Sequence, residues 1–382
     1  MTALALISGG VFMSSCSKGE TEPEQPEVGE ISVSIKTQSS DASAGYSFVS
    51  VKCGGEWALS AGEASEWASV SPSEGSGSTD VAVLSWNTNT TTATRTLTLV
   101  LSSGAKTAQA IFTQYGRGVT PEVESDPVPV WLELPATNNP SLYFFTHPMT
   151  INSVKTRNFS YYWDTKSMVA HWVAYPLNKT LGSGSCGRSE KWGGTDPKMP
   201  VSMQPVLSGT YGSGYARGHQ LPSADRQILE YNIQTFWGVN MTPQNYDLNG
   251  GQWASLEGFV RNKSHAVDTL YVVTGCLVSG STKYVTDDYG KKVTVPTGYF
   301  KALLAYSKNK TVGITNSTGG YTGIGYYFDN SDCSDTYQDH AVTLDKLESI
   351  TGFDFFVNLP AKIGTTKADK VESTLDSWWT NK

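Results

Sequence analysis

The 382-residue sequence predicts an α+β protein in two parts, a small all-β, immunoglobulin-like sandwich followed by a larger domain with an antiparallel sheet at its core. Three observations predict it. Between residues 31 and 115, short runs of period two (ISVSIKT, YSFVSVKC, DVAVLSW, RTLTLVLSS, AQAIFTQ) are divided by turn residues, the pattern of antiparallel strands. Residues 116–130, GRGVTPEVESDPVPV, carry three prolines and read as an extended linker. From Trp131 to the end at residue 382, strand and helix patterns mix without βαβ repetition.

Taken in order, residues 1–15 are apolar and small and end at Cys16, after which an acidic, proline-bearing stretch to Glu30 has too little apolar surface to fold. The first segment resembles a bacterial lipoprotein signal with Cys16 as the lipidated residue, although the charged start of such a signal is missing. That resemblance implies export and a lipid anchor in the outer membrane or at the cell surface, or a periplasmic location, with residues 16–30 as a tether. In the sandwich, GEWALS, EWASVSPSEGSGS and WNTNTTTATRTLTL resemble a BACON domain, a family often proposed to bind carbohydrate. Trp57 and Trp67 are the side chains that could stack on a sugar, but they serve equally as packing, and a spacer is the favoured reading. In the larger domain, HWVAYPLNK, TLYVVTGCLV and the run Val293 to Tyr306 read as strands. VTLDKLESITGF reads as a helix capped by Thr343 and stopped by Gly352, and FDFFVNLP reads as the strand that closes the sheet.

Charge argues against a basic body. Of 35 acids and 28 bases, 11 and 6 fall in residues 1–120, leaving 24 and 22 in the remainder, so any polyanion must be held by a local groove. No phosphate-binding P-loop, dinucleotide fingerprint or nucleophile elbow occurs. Cys53, Cys186, Cys276 and Cys333 have no zinc spacing. They could form up to two disulfides, but Cys53 and Cys276 lie in apolar runs where a buried thiol is the commoner outcome.

Chemistry concentrates between Tyr215 and Arg261. Arg217, Gly218 and His219 stand together, with glycine permitting a turn or close approach beside the histidine. Asn240 follows, and then Asn249, Trp253, Glu257 and Arg261 recur at steps of four, which places an amide, a carboxylate and a guanidinium on one helical face. Such a set suits metal-assisted phosphodiester hydrolysis: a histidine takes a proton from water, an amide oxygen binds a hard cation, and arginines match phosphate. Isolated features have blander readings. His147, His171, His265 and His340 read as structural, Trp237, Phe236 and Trp253 as packing, Asn249 as a possible helix cap, and Asp225 with Arg226 as a loop ion pair.

The ordered set RGHQLP, NMTPQ and LNGGQWASLE resembles the DNA/RNA non-specific endonucleases of the ββα-metal superfamily over roughly residues 131 to 365. The resemblance implies His219 as general base, Asn240 as the Mg²⁺ ligand (Mn²⁺ as substitute), Asn249 and Glu257 holding the hydrated ion, and Arg188, Arg217 and Arg261 lining the site. It implies DNA and RNA as substrates. One departure is Ala216, where the family usually has an acid that could hold the neighbouring arginine. Two other functions remain open on the residues: an inactive surface lipoprotein that binds glycans or nucleic acid, and a phosphodiesterase for small phosphate esters.

Overall fold

The computed structural model describes residues 30–119, 123–211, 214–309, 312–314 and 316–380; the leader, Cys16 and all of the tether but Glu30 lie outside the described residues. Among the described residues no helix is long and apolar enough to cross a membrane.

The N-terminal runs form two sheets around one core. One contains Ser32–Ile35, Gly45–Lys52, Thr79–Trp86 and Ala68–Ser71 in that spatial order; the other contains Ser39–Ser40, Lys106–Gln114, Arg95–Ser103, Glu56–Ser60 and Glu74–Ser76. Their alternation turns Val49, Val51, Leu84, Leu97, Leu99 and Phe112 inward. Trp57 is buried in that core with its indole N–H donating to the Gly77 carbonyl, and the Trp67 ring is covered by the Arg95 guanidinium at 4.2 Å. Neither indole stands free as a sugar platform.

Beyond the linker, a seven-stranded antiparallel sheet runs Tyr143–Ile151, Val154–Asp164, Val169–Leu177, Thr269–Leu277, Gly298–Tyr306, Tyr321–Asp329 and Ala341–Val342. Its central strands are apolar at nearly every position because both faces are covered. In Gly298–Tyr306, Tyr299, Leu303 and Ala305 join one core and Phe300, Ala302 and Leu304 join the other.

Several expectations need correcting. FDFFVNLP is not a strand: Phe355 and Phe356 plug the second core in irregular backbone, Phe356 has φ of 52°, and the edge of the sheet is Ala341–Val342. The run from Val293 to Tyr306 is two strands, Lys292–Thr294 and Gly298–Tyr306, because Pro296 interrupts the ladder. The linker's second half is docked rather than free: Val123 is buried, Phe144 N–H donates to Ser125 Oγ, and Asp126 Oδ2 accepts from Thr146 N–H and Lys198 Nζ. The four described cysteines are all free thiols, with Cys53 and Cys276 buried. The helix Leu344–Thr351 keeps the expected ends, Thr343 Oγ1 capping Lys346 N–H and Gly352 turning left-handed at φ 73°.

Candidate active site

The site is built from two strands and a helix. Tyr215–His219 pairs antiparallel with Met241–Asn245, placing Gly218 opposite Thr242 and His219 opposite Met241. A Cβ at Gly218 would lie 2.5 Å from Gln244 Oε1 and 2.7 Å from Gln244 Cβ, so the glycine beside the histidine serves close approach. The chain then turns at Asn245, whose side chain caps Asp247 and Leu248 N–H, passes through the wide turn Asn249–Trp253, and enters the helix Ala254–Ser264. Trp253, Leu256 and Val260 anchor that segment in the core, while Asn249 ahead of the helix and Glu257 and Arg261 on it remain half-buried.

His219 sits against the rings of Trp192 and Phe236, with centroids 5.6 and 5.0 Å away in edge geometry. Its Nε2 is buried with no hydrogen-bond partner. Burial and the nearby Arg188 guanidinium push the imidazole pKa down to about 3, against a backbone hydrogen bond with Arg217 that raises it. Since Nε2 has no partner, that bond belongs to the other ring nitrogen, and Nε2 is left as an unused lone pair on a neutral ring. Arg188 stacks near Trp192 and Phe236 at 5.3 and 5.2 Å, and Arg217 lies 3.4 Å from the Trp192 ring centroid. Arg217 also donates to the carbonyls of Leu207 and Ser208 at 3.3 and 2.9 Å, so with Ala216 in place of an acid the guanidinium is held by carbonyls and an indole.

Asn240 does not stand where a metal could meet it. The residue is fully buried; its Oδ1 accepts from Leu221 N–H at 2.8 Å, and its Nδ2 donates to the carbonyls of Leu221 and Thr235 at 2.9 and 2.8 Å. The amide is spent on pinning the loop that follows His219, which corrects its expected role. Asn249 has the opposite character. It is not a cap, a place taken by Asn245, and its amide has no protein partner among the described residues.

Glu257 makes no hydrogen bond to the described protein. Burial raises its pKa, opposed first by Lys301, with Asp225 adding to the rise. Asp225 forms its ion pair with Arg261, Nε to Oδ1 at 2.8 Å, and accepts from Tyr175 at 3.2 Å. Its expected partner Arg226 is instead fully buried and donates to Asn158 and to the Asp225 and Pro176 carbonyls. The sequence reading pairs Asp225 with Arg226 and does not reach Tyr175 or Lys301. A lysine in an apolar strand and an acid beside an arginine give no signal without the fold. Of the other histidines, His147 contacts Asp196 at 2.6 Å, His171 lies 3.4 Å from Asp164, and His340 bonds the Tyr327 carbonyl at 2.8 Å.

The DNA/RNA non-specific endonuclease family model matches residues 143–362, more than half of the chain. This chain belongs to that family. The endonuclease is similar to a nuclease of Nostoc sp., 33% identical over 207 residues that cover 53% of this chain and 73% of the relative. It is also similar to the Serratia marcescens nuclease, 27% identical over 250 residues, 64% of this chain and 82% of that one. The Xenopus laevis mitochondrial nuclease EXOG is 26% identical over 224 residues, 56% of this chain and 61% of that one. These relatives make the endonuclease a nucleic-acid hydrolase, and its family depends on divalent metal.

The residues present fit one kind of ion. Among the described residues no three His, Cys, Asp or Glu side chains come together to hold a metal. An amide oxygen on Asn249 and a carboxylate on Glu257, neither hydrogen-bonded to the described protein, are donor types that suit a hard cation which keeps most of its water.

Proposed function

We propose that this endonuclease hydrolyses phosphodiester bonds of DNA and RNA without sequence choice, in a Mg²⁺-dependent reaction that leaves 5′-phosphate ends. The observation that carries this reading is the buried, partnerless Nε2 of a neutral His219 beside two arginines. In this reading Nε2 takes the proton of the attacking water, and Arg188 and Arg217 hold the phosphate through planar, charge-assisted hydrogen bonds. Arg261, fixed by Asp225, lines the far side. Asn249 would hold the ion directly and Glu257 would hold its water. When bound, such an ion supplies positive charge where the departing oxygen becomes negative.

Export and anchoring through lipid on Cys16 are proposed from the leader alone, and the N-terminal unit is proposed as a BACON-like spacer; a carbohydrate ligand for it gains nothing from the covered Trp57 and Trp67. Incubation with plasmid DNA, RNA and a chromogenic phosphodiester, each with and without chelator, tests the function. Cutting of both polymers that chelator abolishes is the expected result. Cleavage of the small ester alone, or cutting indifferent to chelator, overturns it.

A further inference from the structure

Trp192 is half-buried on the loop between Val169–Leu177 and Tyr215–His219, and it meets His219, Arg188 and Arg217 at once. Its indole stands at 84° to the fully buried Phe236 ring, with centroids 4.6 Å apart, so the two rings form a corner. His219 presents edge geometry to both rings, and Arg188 lies 5.3 and 5.2 Å from their centroids. Arg217 sits over the indole itself, 3.4 Å from its centroid. The loop is tied at the same point. Gly193 N–H donates at 2.9 Å to the Leu207 carbonyl, which also accepts from Arg217.

Two guanidiniums within reach of one ring repel each other and would spread into solvent unless something holds them. Carboxylates do little of that holding. Among the described residues Arg217 has no carboxylate partner and donates to carbonyls, while Arg188 donates to Ser223 Oγ at 3.3 Å and has only the exposed Glu190 at 3.8 Å. The negative face of an indole attracts a guanidinium and leaves its outer N–H fork free, whereas a carboxylate would occupy the fork that phosphate needs. We propose that Trp192 is a positioning residue of the nuclease site, whose indole face sets Arg188 and Arg217 together beside His219 with their charge unspent. The proposal rests on the reading of this cleft as the phosphodiester site. It adds that an aromatic ring, rather than an acid, orients the phosphate-binding arginines.

The test measures binding of a labelled single-stranded DNA oligonucleotide to the full chain by fluorescence anisotropy in chelator, where no cutting occurs. Trp192→Met keeps bulk and removes the π face; Trp192→Phe keeps a smaller π face. Trp192→Met is expected to weaken Kd about tenfold at low salt and to lower the slope of log Kd against log salt by about one, while Trp192→Phe stays within about threefold of the parent. In a background carrying Arg188→Gln and Arg217→Gln, the Met substitution should cost less than about twofold, because no cation is left to place. Parental binding by Trp192→Met, equal loss in Trp192→Phe, or a full loss repeated in the double-Gln background overturns the proposal. A Trp192→Met protein that does not fold, judged by its thermal unfolding, also overturns it, since the ring would then be a folding requirement. A parent that binds and cuts DNA while Trp192→Met binds equally well removes only the role of Trp192; a parent that binds no DNA removes the site reading with it.

Discussion

His219 and the two asparagines carry different physical burdens, and substitution separates them. His219→Ala should lose at least about a hundredfold in turnover, the range for a general base, while nucleic-acid binding in chelator stays near parental. Asn249→Ala should raise the Mg²⁺ concentration needed for half-maximal rate, and excess Mg²⁺ should restore part of the activity. Asn240→Ala should behave as a folding defect, because three buried backbone groups of Leu221 and Thr235 lose their partner; roughly 2–4 kcal/mol of stability is expected to go, measurable by denaturant unfolding. The pH behaviour of His219 follows from its depressed pKa. The ring stays neutral down to about pH 3 in the folded protein, whereas it protonates near 6.5 when unfolded, so its contribution to stability is complete above 6.5 and is lost as pH falls toward 3. A metal-free imidazole titration should accordingly show no transition between pH 5 and 8, where the residue type alone suggests one. Spacing in the sequence does not tell which asparagine is consumed by backbone, so it could not show that the Asn240 amide is. Only the loop between Leu221 and Asn240, closed on itself, reveals that.

At the scale of elements, the helix was legible where spacing was strict, whereas the strand pair Tyr215–His219 with Met241–Asn245 was not. Steps of four run from Asn249 to Arg261, but the chain kinks within Asn249–Trp253, where Gly251 is non-helical, so only Glu257 and Arg261 share the helix Ala254–Ser264. At Gly218 the two strands leave no room for a Cβ, which would lie 2.5 Å from Gln244 Oε1. Gly218→Ala is expected to cost about 1–3 kcal/mol through overpacking against Gln244 and to reduce turnover by displacing His219; calorimetry and nicking rates on one preparation check both effects. FDFFVNLP shows the opposite case. An apolar, aromatic run reads as a strand by composition, yet Phe355 and Phe356 are spent filling a core beneath the helix Leu344–Thr351, a demand set by tertiary packing. Lys301 was illegible for a related reason: on a strand covered on both faces, a charged residue has no solvent side, and nothing local announces that its ammonium meets Thr274 and the Trp253 ring.

For the molecule as a whole, the proline-bearing stretch 116–130 reads as an extended linker, but the chain from Val123 to Asp126 is docked on the strand Tyr143–Ile151 of the nuclease sheet. A chain beginning at Val123 should therefore unfold at a higher temperature than one beginning at Pro127, which strips Asp126 from Lys198 and Thr146. Both should retain nicking activity in solution, since no residue of the site comes from the N-terminal unit. Cys16→Ser in the exporting cell should move the protein from membrane to soluble fractions; continued membrane association without a lipidated peptide would remove the anchor from this reading. The place of Gly298–Tyr306, bonded along its length to Thr269–Leu277 on one side and Tyr321–Asp329 on the other, has a kinetic corollary. Amides there should exchange with solvent only when the whole sheet opens, so partial openings at the rim leave the enzyme competent. Heating should then give one coincident loss of rate and of the sheet's structure, so thermal inactivation of this endonuclease takes the opening of the sheet as a whole.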